Sequence, residues 1–242
     1  MRIKSFLLGI AIVVGLCTGS AIAQDTRVNL ERTTVAVVGD SLADGMWSGI
    51  YRVLNTDKSY FVYRGAKNSV GFAASPLTDM IDRAFAQTRP SVLVMMIGAN
   101  DRRSIFVEGK PPLQFRSPEW IAAYRQRVAN FMDHADKRGV PLLWILLPVM
   151  RTPEATRDAQ LINSIVTELA QTRPHVTLLQ TADITADAAG AYAAHFRDHA
   201  GHVRLMRASD GIHFEQPGYD FVAVVIVQRL KAMLTRLSSA AH

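Results

Sequence analysis

Val35-Ala36-Val37-Val38-Gly39-Asp40-Ser41 constrains this chain more than any other stretch, because four short apolar residues run without a linker into a Gly-Asp-Ser turn. Such a run reads as a buried strand, and the residues that follow it are compatible with a helix. Ser41 therefore stands at a strand-to-helix corner, where the next backbone N–H groups are unpaired and face outward. Two roles suit a serine at this corner. It can serve as a nucleophile beside a ready anion site, or as a simple helix cap.

The rest of the chain alternates strand and helix. Apolar residues at helical spacing occupy Gly45 to Leu54, and Tyr60 to Tyr63 reads as the second strand. Ser75-Pro76 opens a helix carrying Leu77, Met80, Ile81 and Phe85 on one face, with proline in its first turn. Ser91 to Ile97 is apolar after its first residue, as expected of a strand covered on both faces. The alternation continues with Pro118 to Lys137, Pro141 to Leu147, Pro153 to Gln171 and Val176 to Leu179, and Pro217 to Leu237 closes it. This order predicts an α/β fold with a parallel sheet and right-handed crossovers. In such folds the site lies at the carboxyl ends of the strands.

Met1 to Ala23 has the parts of a secretory signal: Arg2 and Lys4, the apolar run Phe6 to Leu16, and Ala21-Ile22-Ala23 before Gln24. The run is shorter than a bilayer requires, so the expected outcome is export to the periplasm or beyond it, with no stable membrane insertion after cleavage. The expected division is thus residues 1–23 as signal peptide and 24–242 as one domain, there being no repeat, low-complexity tract or linker. Cys17, the sole cysteine, falls within the signal segment, which excludes disulfides and thiolate metal sites from the remainder. Loss of Arg2 and Lys4 takes the 27 basic residues to 25 against 21 acidic ones. That balance is mild and spread along the chain, which argues against a nucleic-acid partner.

The predicted strand ends collect the polar chemistry. They carry Gly39-Asp40-Ser41, then Arg64 to Gly71, then Gly98-Ala99-Asn100-Asp101; Asp210-Gly211-Ile212-His213 comes just before the last helix. Acyl transfer needs a hydroxyl nucleophile, a base, a group orienting that base, and donors for an oxyanion. Ser41, His213, Asp210 and Asn100 are residues of those types, and the backbone N–H groups of Ser41 and Gly71 are candidate further donors. Taken singly, Asn100 and Asp210 also read as turn residues and His213 as an ordinary histidine.

These blocks, in this order and spacing, resemble those of the SGNH, or GDSL, hydrolases. The Gly-Asp-Ser-Leu, Gly-Ala-Asn-Asp-Arg and Asp-Gly-Ile-His forms, with the secretory signal, are similar to an exported bacterial branch of that superfamily. The resemblance implies a flavodoxin-like three-layer αβα sandwich with a five-stranded parallel sheet, and a serine esterase mechanism without metal or other cofactor. It implies Ser41 as nucleophile and oxyanion donor, Gly71 and Asn100 as further donors, His213 as base and Asp210 as its orienting partner. The second block departs from the usual compact turn. Gly65 competes with Gly71 there, and Gly71 is preferred because Gly65 lies too close to the strand end.

Other features invite separate readings. His195, His199 and His202 would share one face if Ala188 to His202 were helical, a spacing that suits zinc or merely an exposed polar face. Thr181 to Ser209 is long for a connection and is expected to wall the substrate pocket. Arg102 and Arg103 adjoin Asn100-Asp101 and are candidates for holding an anionic substrate group, or solvated loop charge. Phe115, Trp120 and Tyr124 suit packing better than sugar stacking. The resulting expectation is an ester hydrolase for short acyl groups, most plausibly O-acetyl on a cell-envelope or extracellular carbohydrate. Lipolytic or thioester hydrolysis and polysaccharide O-acylation are the alternatives.

Overall fold

The computed structural model describes residues 32–240. The signal-peptide reading falls on residues outside that range. Strand β1 (Thr33–Gly39) is buried from its second residue onward, as its unbroken apolar run requires. It pairs in parallel with β2 (Tyr60–Arg64) on one side and β3 (Val92–Met96) on the other. Beyond β3 follow β4 (Leu142–Ile145) and β5 (Val176–Leu179), giving one five-stranded parallel sheet of order β2-β1-β3-β4-β5.

The crossover helices are α1 (Ser41–Leu54), α2 (Thr78–Gln87), α3 (Pro118–Lys137) and α4 (Pro153–Ala170), and α6 (Gln216–Ala240) closes the chain. Right-handed crossovers place α1 and α6 on one face and α2, α3 and α4 on the other, the three-layer arrangement expected of the sequence. Ser117 and Thr152 cap α3 and α4 by accepting from Trp120 N and Ala155 N, and proline follows each cap. Two helix starts differ from expectation by more than one residue. Helix α1 begins at Ser41 rather than Gly45, and α2 begins at Thr78 after Leu77 adopts a left-handed backbone (φ 60°), which leaves Pro76 outside its first turn.

The pairing of α1 with α6 sets the site. A Cβ on Gly49 would lie 2.7 Å from Tyr219 O and 2.9 Å from Ala223 Cβ, so the two helices approach to backbone contact only because position 49 has no side chain. Arg52 reinforces the pair by donating to Asp220 (2.6 Å). Since α1 starts at Ser41 and α6 starts three residues after His213, their packing joins two ends of the chain.

Residues 181–209 contain the short helix α5 (Ala182–Thr185) and an antiparallel hairpin, β6 (His195–Arg197) with β7 (Val203–Leu205). The hairpin packs on α6 through Phe196 and Phe221, whose rings stack at 4.4 Å. The helical condition for grouping His195, His199 and His202 therefore fails. His195 stands on one strand and His202 precedes the other, and no cluster of potential metal ligands occurs among the described residues.

Candidate active site

The N-cap of α1 is Asp40, whose carboxylate accepts from Leu42 N at 2.9 Å. Ser41 is thereby relieved of the capping role that the sequence left open, and its Oγ lies 2.7 Å from His213 Nε2. On the far side of the imidazole, Nδ1 meets Asp210 Oδ2 at 2.6 Å. An ionised carboxylate only accepts, so Nδ1 carries the ring proton and Nε2 is left to accept from the serine hydroxyl.

Asp210 organises its own turn as well. Its other oxygen accepts from Ile212 N (2.8 Å) and His213 N (2.9 Å). Partial burial pushes this carboxyl up, but the bonds from the His213 ring and from the Ile212 and His213 N–H groups outweigh it and hold the group at about 2. It is therefore ionised at neutral pH. Gly211 makes the turn with φ of 75°, where the Arg151 side chain also packs against it.

Beside Ser41, the β3 end delivers Asn100. Its amide donates to Val70 O (3.1 Å) and weakly to Asp40 Oδ2 (3.4 Å). Val70 O belongs to the same peptide unit as the Gly71 N–H, so Asn100 fixes the orientation of that group. The neighbouring Asp101, wholly buried, accepts from Phe72 N (3.2 Å), Ala73 N (2.8 Å) and Tyr124 Oη (2.8 Å). Residues 70–73 are thus tied down from two directions, and the Gly71 N–H donates to nothing among the described residues. The Gly65 N–H donates to Val37 O at 2.8 Å, extending the sheet ladder. The glycine with a vacant donor is Gly71.

Two buried acids support this corner. Burial raises the Asp40 carboxyl to about 6 against bonds from Leu42, Gly98 and Ala99 N–H, and the like charge of Asp101 adds to the rise. Burial likewise raises Asp101, and it raises the Tyr124 phenol, whose hydroxyl faces that carboxylate. The Asp40 cap on Leu42 N is local, but the Gly98 N–H that also reaches Asp40, and the Phe72, Ala73 and Tyr124 partners of Asp101, are ones that only the fold brings near.

Other candidates resolve differently. Arg102 is engaged elsewhere: its Nε lies 2.5 Å from Asp158 Oδ2 and its Nη2 3.1 Å from Glu154. Asp158 is 1% exposed and also accepts from Arg116 Nε at 2.8 Å. The Arg102 contact lacks hydrogen-bond alignment, so it is charge pairing alone that holds Oδ2. Two of the three nitrogens of the Arg102 guanidinium are thus given to carboxylates of the protein itself. Arg103 is exposed, and its carbonyl accepts from Trp120 Nε1 at 2.8 Å. Trp120 and Tyr124 are fully buried and stacked at 4.6 Å, so they are packing residues.

An α/β chain whose first strand ends in Gly-Asp-Ser and whose last helix follows Asp-Gly-Ile-His on this sheet order has the fold of the SGNH, or GDSL, hydrolases. It belongs to the family described as "Protein of unknown function (DUF459)", which matches residues 34–229. Among solved structures, the chain is similar to a psychrotrophic esterase from Pseudoalteromonas, at 12% identity and a TM-score of 0.57, over 84% of this chain and 99% of that one. A GDSL-like lipase from Bacteroides thetaiotaomicron aligns at 13% identity and a TM-score of 0.56, over 83% and 89%. An acetyl xylan esterase aligns at 15% identity and a TM-score of 0.55, over 81% and 98%. No curated protein matches the chain in sequence.

Proposed function

We propose that this chain is an exported serine esterase that removes short acyl groups, chiefly O-acetyl, from carbohydrate of the cell envelope or surroundings. The observation that carries the reading is the continuous relay Ser41 Oγ, His213 Nε2, His213 Nδ1, Asp210 Oδ2, with links of 2.7 and 2.6 Å. Ser41 Oγ attacks the ester carbonyl carbon as its proton passes to Nε2, and the carbonyl oxygen becomes an oxyanion. We assign that charge to the N–H groups of Ser41 and Gly71 and to the Asn100 N–H that otherwise makes only the weak 3.4 Å contact with Asp40. The imidazolium, stabilised by Asp210, then gives its proton to the departing sugar oxygen, leaving an acyl-serine. Water, deprotonated by the same imidazole, attacks the acyl-serine, releases the carboxylic acid and restores the hydroxyl.

A small apolar hollow that includes Ala99 and Ile212, the residues before Asn100 and His213, supports the short acyl group. Gly98, Leu147, Met150 and Ile162 complete its apolar lining. Its volume is about 20 Å³, and Arg102 and the buried Asp158 also line it. A methyl fits such a space, whereas a long chain would have to displace Ile162 or Leu147. Export rests on the N-terminal pattern, and the carbohydrate half draws support from the likeness to an acetyl xylan esterase.

The test is hydrolysis of p-nitrophenyl esters of increasing chain length, together with acetate release from acetylated polysaccharide. Acetyl should be preferred, and Ser41→Ala should lose at least about a thousandfold in kcat. Activity that survives Ser41→Ala removes the serine mechanism; a preference for octanoyl or longer esters replaces the short-acyl reading with a lipolytic one.

A further inference from the structure

Arg207 is among the largest fully buried side chains of the protein, 2% exposed, and no carboxylate pairs with it among the described residues. Its guanidinium instead donates to main-chain carbonyls: Val149 O at 2.8 Å, Ile212 O at 3.0 Å, Gly211 O at 3.2 Å and, more weakly, His213 O at 3.4 Å. It lies over the rings of Phe214 and Tyr192, whose centroids are 4.6 and 4.9 Å from Cζ. Burial lowers this guanidinium to about 10, still protonated at neutral pH. A buried cation with no paired carboxylate is costly, and carbonyl dipoles, aromatic rings and the more distant charge of Asp210 compensate it here.

The carbonyls it holds are those of the turn that presents the imidazole. The turn is closed by Ala208 N donating to His213 O (2.9 Å) and Gly211 N to Ala208 O (3.0 Å), which gathers the oxygens of residues 211 to 213 around the Arg207 side chain. Val149 lies beyond β4, so the same guanidinium ties the turn to the main sheet. Arg151 grips it again through Ser209 O (2.6 Å) and Ala208 O (3.2 Å).

Resting on the esterase reading of the site, we infer that Arg207 is a positioning residue for His213: its planar fork sets the Asp210–His213 turn so that the imidazole meets Ser41. Asp210 fixes the ring relative to its own turn, and Arg207 fixes that turn relative to the protein. Only a guanidinium supplies several coplanar donors to carbonyls spread around one point; an ammonium cannot reach them all. A drift of about 1 Å in the base is worth about a hundredfold in rate.

The experiment compares Arg207→Met and Arg207→Lys with the parent protein by three readouts: cooperative melting, p-nitrophenyl acetate kinetics, and the downfield proton resonance of His213 Nδ1, identified by its absence in His213→Gln. Arg207→Met should melt cooperatively, lose about a hundredfold in kcat with KM within about threefold, and weaken or lose the resonance; Arg207→Lys should fall between. A folded Arg207→Met that keeps both the resonance and its kcat overturns the inference. Should that variant not fold, Arg207→Lys decides: an unaltered resonance and rate overturn it, and a weakened resonance with reduced kcat supports it. A parent protein that shows the resonance but cleaves no ester refutes the esterase reading alone, and the resonance in the variants then decides the role of Arg207.

Discussion

Substituting Gly71 by alanine separates the two glycines that competed in the sequence for the second oxyanion donor. An ideal Cβ at position 71 would come within 2.8 Å of Asp101 Cγ, and nearer still to its Oδ1. Ordinary contacts between carbon atoms are about 3.5 to 4.0 Å, so one side must retreat by about 1 Å. Asp101 is poorly placed to do so, being buried and bound by Phe72 N, Ala73 N and Tyr124 Oη. The displacement therefore falls on the 70–73 turn and carries the Gly71 N–H away from the position proposed for the oxyanion. Loss of one such donor costs roughly a hundred- to a thousandfold in kcat, and the overpacking about 1 to 3 kcal/mol of stability. At Gly65 the same methyl would lie 3.0 Å from Val38 Cγ1 and 3.1 Å from the Tyr63 ring, a far milder intrusion beside an N–H already used by Val37 O. Gly65→Ala should keep kcat within about threefold. Steady-state kinetics on p-nitrophenyl acetate with urea melts of both variants provide the measurement. A Gly71→Ala protein that folds and retains its kcat, or a larger kinetic loss at Gly65, refutes the assignment.

Three further outcomes follow from the same geometry. Gly49→Ala inserts a methyl between α1 and α6; despite a helix-propensity gain near 1 kcal/mol it should lose about 1 kcal/mol net and about tenfold in kcat, since Ser41 and His213 lie at the starts of those helices. Unchanged melting and rate would show that the helix contact does not set the relay. Asp40 titrates at about 6 in the folded protein against 3.8 in an ordinary carboxyl, so the folded state holds the proton more tightly and this group's penalty fades as pH falls from about 6 toward 4. The full difference is on the order of 3 kcal/mol, and melting curves across that window should show a stabilising slope on acidification that Asp40→Asn removes. An identical slope in the variant would count against it. Arg102→Ala should leave KM for a neutral acetyl ester within about threefold while lowering the urea midpoint, because the side chain serves Asp158 and not the substrate; a large rise in KM alone would reverse that conclusion.

Much of this protein was legible residue by residue. The apolar run of β1, the fully apolar β3 and the proline-opened α3 and α4 are local patterns, and local patterns suffice to order strands and helices into a parallel sheet. The motif residues Ser41, Asn100, Asp210 and His213 stood at the ends of those elements for the same reason. What could not be read there was commitment, the partner each side chain takes. Ser41 and His213 are 172 residues apart, and it is the bare backbone of Gly49 against α6 that lets their helices close. The histidines near 195 to 202 have helical spacing yet lie on a hairpin, because packing Phe196 against Phe221 overrides that spacing. Arg102 adjoins the site in sequence and turns to a carboxylate 56 positions on, while Arg207, which no motif marks, fills the centre of the histidine turn. Periodicity and turn chemistry act between neighbours along the chain; burial, ion pairing and the satisfaction of carbonyls act between neighbours in space, and only the folded sheet decides who those are.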